Sequence, residues 1–171
     1  YGDLGVYGHP YAHSPNLDQL ASEGSRFTNF YMTGNVCGPS RTGIMSSRHP
    51  DTFANNVPYV GLNGRAAVTH LVKDNGYVPG HYGKWHIGMD DAPYKPVPRN
   101  TYGIEVENIN VDGGSHSDIR GRDALIYDRA IDFIERNQHE PFYLNIWGYT
   151  THSPVTPSQT LVDELKGIKP F

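Results

Sequence analysis

The strongest constraint on the fold is a helix pattern followed directly by a strand pattern. Residues 122–137 form the best amphipathic helix in the chain, because apolar residues recur there at helical spacing. Residues 142–147 (Phe-Tyr-Leu-Asn-Ile-Trp) are typical of a buried strand. The apolar side of the helix is assigned to Ala124, Leu125, Ala130, Ile131, Phe133 and Ile134. A helix that leads into a buried strand is the repeating unit of α/β folds.

The same alternation recurs along the rest of the sequence. Caps, glycines and apolar spacing predict helices at 14–24, 40–47 and 64–75, and strands at 26–31, 77–82 and 104–111. The remainder of residues 88–120 is rich in Asp, Pro, Gly and Asn and is left without assignment. We therefore expect an α/β fold with a mainly parallel sheet flanked by helices, and a ligand site beyond the carboxyl ends of the strands.

Composition narrows the class of protein. A chain of 171 residues with 37% hydrophobic content is long enough for one domain with a core. The formal net charge is −4, and the 14 Lys and Arg residues form no run, which argues against a nucleic-acid partner. No apolar stretch approaches the roughly 20 residues that cross a bilayer, so we expect no membrane span.

The single cysteine lies in a segment suited to anion binding. Residues 37–41 (Cys-Gly-Pro-Ser-Arg) stand between a strand-like segment and a predicted helix start. Free backbone N–H groups and the positive end of the helix dipole favour an anion at such a position. Cys37 has no cysteine to pair with, so it is either a small buried apolar residue or a reactive one.

Four blocks of sequence, in order, resemble the type I sulfatases. Residues 37–48 resemble the family signature, which is Cys-x-Pro-Ser-Arg followed by an apolar helix. Residues 2–31, 83–88 (Gly-Lys-Trp-His-Ile-Gly) and 151–154 (Thr-His-Ser-Pro) resemble other family segments in order and spacing. The resemblance covers about residues 1–157. On these motifs the chain is identified as a member of the formylglycine-dependent sulfatase family, whose fold is alkaline-phosphatase-like.

The resemblance implies a role for the cysteine and for the arginine that follows it. Cys37 would be oxidised to formylglycine by a formylglycine-generating enzyme or an anaerobic maturase. The hydrated aldehyde would then attack sulfur, and its remaining hydroxyl would expel sulfate. Formylglycine at position 37 would also be a calcium ligand. Arg41 would stabilise the hydrated aldehyde and the nearby metal-bound charge.

Three further residues match catalytic positions of the family. Lys84 and His86 are two residues apart, so on an extended segment their side chains point to the same side. The resemblance assigns Lys84 to contacts with sulfate and formylglycine, and His86 to a hydrogen bond with a formylglycine hydroxyl. It assigns His152 to the ester oxygen, as a substrate-binding residue and the acid that protonates the leaving alcohol. Surface or core hydrogen bonding is expected for the other histidines: His9, His13, His49, His70, His81, His116 and His139.

Several family features have no counterpart in the sequence. The family binds calcium through two adjacent Asp residues ahead of the Gly-Asp-Leu-Gly block, and through downstream residues that precede a second lysine. Only position 37 of the calcium site is recognisable here, and Ser47 replaces the usual Gly before Arg48. We therefore expect residues 1–171 to be a partial catalytic domain, without the first strand, the downstream metal and lysine segment and the C-terminal subdomain.

The predicted function is hydrolysis of a sulfuric ester, either a sulfated carbohydrate or an aryl sulfate. One alternative is a phosphatase or phosphonate hydrolase of the same superfamily, because one cationic site suits either tetrahedral oxyanion. The other is a truncated, inactive binding module. The family indicates a periplasmic, secreted or lysosomal location. Nothing in the sequence indicates which ester is cleaved.

Overall fold

The computed structural model describes most of the chain as two compact units. The described residues are 2–53, 61–62, 64–88, 99–107, 120–121, 123–155 and 157–168. One unit consists of residues 1–31 and 163–171, and the other of residues 32–162. All five predicted site residues belong to the second unit. Among the described residues, no helix has the length and apolar character that a membrane crossing requires.

The first unit contains a 3₁₀ helix, Gly5–Tyr7, and helix α1, Pro15–Glu23. The predicted helix is confirmed, with proline in its first turn and Gly24 after its last residue. Asp18 ties the two helices together, because its Oδ1 accepts a hydrogen bond of 2.7 Å from the Val6 N–H. The side chain of this aspartate therefore fixes the entry to α1.

The strand predicted at residues 26–31 is wrong, because no regular structure forms there. Phe27 and Phe30 are 66% and 72% exposed, and their rings lie 6.1 Å apart. Aromatic residues favour strands only where a neighbouring strand and a packed face accept them, and none of the described strands pairs with this segment. Amino-acid composition alone therefore predicts a strand that residues 26–31 do not form.

A parallel three-stranded sheet forms the centre of the second unit. Its strands are β1 (Val78–Gly83), β2 (Glu105–Glu107) and β3 (Phe142–Trp147), in the order β2-β1-β3. The pairing of β1 with β3 runs from Val78 opposite Phe142 to Gly83 opposite Trp147. The predicted α/β fold with a parallel sheet is confirmed. The prediction of a strand at 104–111 extends into residues 108–111, which lie outside the described part.

Helices precede or follow each of the long strands. They are α2 (Cys37–Ser46), α3 (Val68–Asp74), α4 (Ala124–Asn137) and α5 (Gln159–Glu164), with short 3₁₀ helices at Pro50–Thr52 and Arg99–Tyr102. Helix α2 begins at Cys37 rather than after Pro39 as predicted. Proline is tolerated there because the first-turn N–H groups have no partner within the helix. The cysteine is therefore the first residue of the helix.

Helix α4 packs on β1 and β3 through a narrower face than the sequence predicted. Its buried residues are Ile126, Ala130 and Phe133, at spacings of four and three that place them on one side. The assigned residues Leu125, Ile131 and Ile134 are instead 40–53% exposed. The helix comes close to the strand because Gly80 has no side chain, and a Cβ there would lie 2.7 Å from the Phe133 ring.

A buried histidine belongs to the core on the other side of β1. His81 is fully buried, with its ring edge-on to Trp85 and Trp147 at centroid distances of 4.8 and 5.1 Å. Its Nδ1 accepts a hydrogen bond of 2.8 Å from the amide of Asn145, and its Nε2 lies 3.3 Å from the Gly83 carbonyl. Burial lowers the pKa of His81 from 6.5 to about 4. The core hydrogen bonding expected for this histidine is present.

The buried state of His81 predicts a loss of stability in acid. Between pH 6.5 and about 4 the unfolded chain binds a proton at this position and the folded chain does not. The free energy of unfolding should therefore fall by roughly 3 kcal/mol as the pH falls through that range. Urea unfolding of the wild type and of His81→Gln across this range measures the difference. His139→Gln, at an exposed site, is the control, and equal pH dependence in all three proteins would contradict the assignment.

The serine that replaces the usual family glycine lies in a left-handed conformation. Ser47 follows the last residue of α2 with φ 53° and ψ 32°, and its side chain is exposed. We expect Ser47→Gly to stabilise the fold by about 0.5–1 kcal/mol, because glycine adopts this conformation without the steric cost of a Cβ. Ser46→Gly is the matched control and should destabilise, since it removes the hydrogen bond of 2.6 Å to the Thr42 carbonyl. Thermal unfolding measures both, and a lower melting temperature for Ser47→Gly contradicts the prediction.

Candidate active site

The site forms where three elements meet at the carboxyl edge of the sheet. The Lys84 N–H donates a hydrogen bond of 2.8 Å to the Trp147 carbonyl, which continues the β1–β3 pairing one residue beyond β1. Parallel strands end at the same edge, so the segments that follow β1 and β3 lie next to each other. The first turn of α2 brings Cys37 to the same edge, as the contact with His86 shows. These segments lie at the edge of the sheet where the sequence predicts a ligand site.

Cys37 and His86 are in direct contact. The Sγ of Cys37 lies 3.0 Å from Nδ1 of His86, and both side chains are partly buried. His86 adopts a left-handed backbone conformation, with φ 53°. The segment after β1 is therefore not extended as the sequence reasoning assumed. The unusual backbone conformation directs the imidazole to the thiol, and bulky side chains adopt it rarely.

Arg41 joins the three elements of the site. Its Nη1 donates a hydrogen bond of 2.5 Å to the Lys84 carbonyl, and its Cζ lies 4.3 Å from the centre of the Trp147 ring. Burial lowers the pKa of Arg41 from its usual value, while nearby Cys37 and Tyr149 act in the opposite direction. A planar guanidinium can make a cation–π contact and a hydrogen bond at once. Its position fixes α2 against the ends of both strands.

The electrostatic surroundings of His86 show that the predicted site residues lie close to one another. The pKa of His86 is lowered chiefly by burial and then by the positive charges of Lys84, Arg41 and His152. His86 is therefore neutral at neutral pH, and its ring can accept a proton. Three cationic or protonatable side chains around the Cys37–His86 pair form a site suited to an oxyanion.

His152 lies on a turn beyond β3. Its N–H donates a hydrogen bond of 2.8 Å to the Tyr149 carbonyl, and its Nδ1 lies 2.7 Å from the Ser153 carbonyl. Because a carbonyl only accepts, Nδ1 carries the hydrogen. The side chain is exposed, and its Nε2 is the ring atom available to a substrate. Such an imidazole can deliver a proton from Nε2 once it is protonated.

Sequence reasoning missed three residues that shape the site. The ring of Trp147 packs against the Arg41 guanidinium. Tyr149 is close enough to Arg41 to affect its pKa. Asp123 is 8% exposed and accepts hydrogen bonds from the backbone N–H groups of Tyr149 and Thr150. An aspartate before a helix is usually a helix cap, and its partners here are about 26 residues away, so no local pattern marks it.

The described residues do not fit a calcium ion. Around Cys37 they supply a thiol, imidazoles and cations, and no group of three or more His, Cys, Asp or Glu side chains within the described ranges could hold a metal. A hard cation needs about six to eight oxygen ligands. Calcium binding would therefore require ligands other than these residues.

Comparison with known proteins identifies the family. The Sulfatase family model matches residues 1–171. Human arylsulfatase A is 40% identical over 96 residues, covering 52% of this chain and 19% of the human protein. Rat N-acetylgalactosamine-6-sulfatase is 37% identical over 217 aligned positions, covering 98% of this chain and 40% of the rat protein.

The fold agrees with a solved structure. The crystal structure of Ps i-CgsB in complex with k-i-k-neocarrahexaose superimposes with a TM-score of 0.76 at 22% identity, covering 99% of this chain and 47% of that one. This chain thus spans less than half the length of each of these three proteins. The fold is the alkaline-phosphatase-like fold of the sulfatases. With its family model matched from end to end, the chain belongs to the Sulfatase family.

Proposed function

We propose that the protein, once Cys37 has been oxidised to formylglycine, hydrolyses a sulfuric ester. The contact between Cys37 and His86, with Lys84, Arg41 and His152 around it, is the observation that carries the proposal. It supplies a nucleophile, a neutral base and an anion-binding site in one place. The proposed substrate is a sulfated carbohydrate or an aryl sulfate, a class supported by the names of the two relatives.

Residue 37 is a cysteine in the structure, and its thiol lies where the proposed nucleophile would be. A formylglycine-generating or anaerobic maturase would convert the Cβ–SH group of Cys37 to an aldehyde, passing two electrons to its own oxidant and releasing the sulfur atom as sulfide. Water would then hydrate the aldehyde to a carbon bearing two hydroxyls. The Sγ of Cys37 therefore marks the position that one of those oxygens would take. His86 Nδ1, 3.0 Å from Sγ, is close enough to accept a proton from a hydroxyl there.

In the first step one hydroxyl gives its proton to His86 Nδ1, which passes it on to water and so becomes neutral again. The hydroxyl oxygen attacks the sulfur atom, and the bond between sulfur and the ester oxygen breaks. Lys84 and Arg41 are the fixed positive charges beside the sulfate oxygens. His152 gives its Nε2 proton to the departing ester oxygen, so that the product leaves as a neutral alcohol. The sulfate is now attached to residue 37.

In the second step His86 takes the proton of the remaining hydroxyl. Its oxygen forms a double bond to carbon, and the bond from that carbon to the sulfate oxygen breaks. Sulfate leaves with the electron pair, and the aldehyde is restored for rehydration by water. A neutral His86 is required for this step, and burial with neighbouring cations favours the neutral form.

Two further expectations belong to the same proposal. Calcium would be bound by the full-length protein through formylglycine at position 37 and through oxygen ligands other than the described residues, and it would supply positive charge to the sulfate group. The proposed location is periplasmic, secreted or lysosomal, by analogy with the family. Equilibrium dialysis of the full-length protein with calcium tests the first of these expectations.

The deciding experiment is mass spectrometry of the peptide that contains residue 37, on full-length protein expressed together with a maturase. The expected result is an aldehyde at this residue and turnover of 4-nitrophenyl sulfate. Unmodified Cys37 in the presence of an active maturase contradicts the formylglycine mechanism. Faster turnover of 4-nitrophenyl phosphate than of the sulfate identifies a phosphatase instead. Binding of a sulfated sugar without turnover of either ester identifies a binding module.

A further inference from the structure

A buried carboxylate holds the turn that carries His152. We infer that Asp123 is a positioning residue that sets the place of the His152 imidazole, and therefore governs proton delivery to the leaving alcohol. The inference rests on the proposed sulfatase function, because it concerns the acid of that reaction. Asp123 itself has no contact with the reacting atoms; it acts through the backbone of residues 149–152.

Asp123 binds the loop after β3 with both of its carboxylate oxygens. The Tyr149 N–H lies 2.8 Å from Oδ1 and 3.0 Å from Oδ2, and the Thr150 N–H lies 3.0 Å from Oδ2. Hydrogen bonds from backbone N–H groups to a buried carboxylate are charge-assisted and stronger than neutral ones. Two successive N–H groups are thus fixed by one side chain.

The helix that carries Asp123 has no need of this side chain as a cap. Asp123 occupies the residue before α4, yet its side chain accepts no hydrogen bond from the first turn of its own helix. The carboxylate instead faces a loop that is remote in sequence. This distinguishes a residue that positions the loop from one that only begins a helix.

The hydrogen bonds that hold the Tyr149 backbone also restrict His152, because the two residues belong to one turn. The Tyr149 carbonyl accepts a hydrogen bond of 2.8 Å from the His152 N–H, which closes a four-residue turn. The Tyr149 ring is 7% exposed and packs in the core cluster with Tyr82 and Ile126. The turn is thus held by the carboxylate and by the buried ring, while the His152 side chain stays exposed.

Gly148 makes the close approach of Asp123 possible. A Cβ at position 148 would collide with the carboxylate of Asp123, with its Cγ only 3.1 Å away. The carboxylate of Asp123 can therefore occupy this place because residue 148 is a glycine. A side chain at position 148 should displace the carboxylate and reproduce the effect of changing Asp123.

The test compares Asp123→Asn with wild type in the matured full-length protein. The amide keeps the size of the carboxylate but places an N–H₂ group opposite a backbone N–H, so one hydrogen bond becomes repulsive. Two substrates are used. The leaving group of 4-nitrophenyl sulfate needs no proton, whereas the sugar oxygen that leaves from galactose 6-sulfate must be protonated. We expect kcat to fall about 10-fold to 100-fold on the sugar sulfate and far less on the aryl sulfate, with KM little changed.

Asp128→Asn, on helix α4, is the matched control. The Asp128 side chain is 43% exposed and pairs with Arg120 at 2.9 Å, so the same chemical change there should leave both rates unchanged. Gly148→Ala should show the same substrate dependence as Asp123→Asn. Amide hydrogen exchange at Tyr149 and Thr150 should accelerate in both variants, relative to exchange at the residues of β3.

The outcomes separate the inference from the function on which it rests. Equal losses on the two sulfates, or unchanged exchange at residues 149 and 150, overturn the positioning role, because general destabilisation reduces both rates alike. If the matured wild-type protein cleaves neither sulfate, the proposed function fails and the inference fails with it. A selective loss on the sugar sulfate with faster exchange supports both.

Discussion

The Cys37→Ser protein, produced without a maturase, is expected to take up one sulfate group per molecule and then stop. A serine hydroxyl placed where Sγ lies, 3.0 Å from His86, can attack sulfur and displace the alcohol. The resulting serine sulfate has no second hydroxyl on the same carbon, so elimination of sulfate is impossible. Steady-state turnover should fall on the order of 10⁴-fold or more.

Mass spectrometry of residue 37 after incubation with 4-nitrophenyl sulfate measures this outcome. The expected product is a peptide heavier by one sulfate group, together with a burst of one equivalent of 4-nitrophenol. Cys37→Ala is the control and should give neither. Sustained turnover by the serine protein would show that an aldehyde hydrate is unnecessary, and would therefore contradict the mechanism.

Replacement of Lys84 by methionine should change both the rate and its dependence on pH. Methionine keeps the length of the side chain and removes the charge, so kcat/KM should fall on the order of 10²-fold to 10³-fold. The charge of Lys84 also disfavours protonation of His86, as do those of Arg41 and His152. Its removal should raise the pKa of His86. Activity should then be lost at a higher pH as the solution is acidified, because the proposed mechanism requires the neutral ring.

Lys73→Met is the control for this experiment, since Lys73 lies on the exposed last turn of α3. Its rate and pH profile should match those of the wild type. Profiles of kcat/KM on 4-nitrophenyl sulfate measure the effect. An acidic limb that stays in place, or moves to lower pH, in Lys84→Met would contradict the electrostatic coupling between Lys84 and His86.

Helices and strands could be predicted from the sequence where their apolar residues are regularly spaced or where particular residues mark their ends. The strand at 142–147 was predicted with its observed bounds, and the helix that ends at Asn137 was predicted to within two residues. The placement of Lys84 and His152 at one edge could be expected from a parallel sheet, because they follow β1 and β3, which end at that edge. The approach of Cys37 could not, because none of the described strands precedes it. The motifs supplied the roles of these residues, which remain to be tested.

Features that depend on distant partners could not be predicted. The left-handed conformation of His86 has no local cause in sequence, and none of the described strands lies beside the aromatic run at residues 26–31. The role of Asp123 depends on two N–H groups from a loop about 26 residues away. Such features are decided by tertiary packing, which overrides local preference.

The contacts of Arg41 with Lys84 and Trp147 also bear on how the protein reaches its active form. They join parts of the chain 43 residues and more apart in sequence, and Cys37 and His86 are 49 apart. Closing loops of this length is entropically costly and slows folding. No partly folded state in which β1 and β3 are unpaired can contain this site. Recovery of activity should therefore be among the last events of refolding, which makes catalysis a reporter of the completed chain topology.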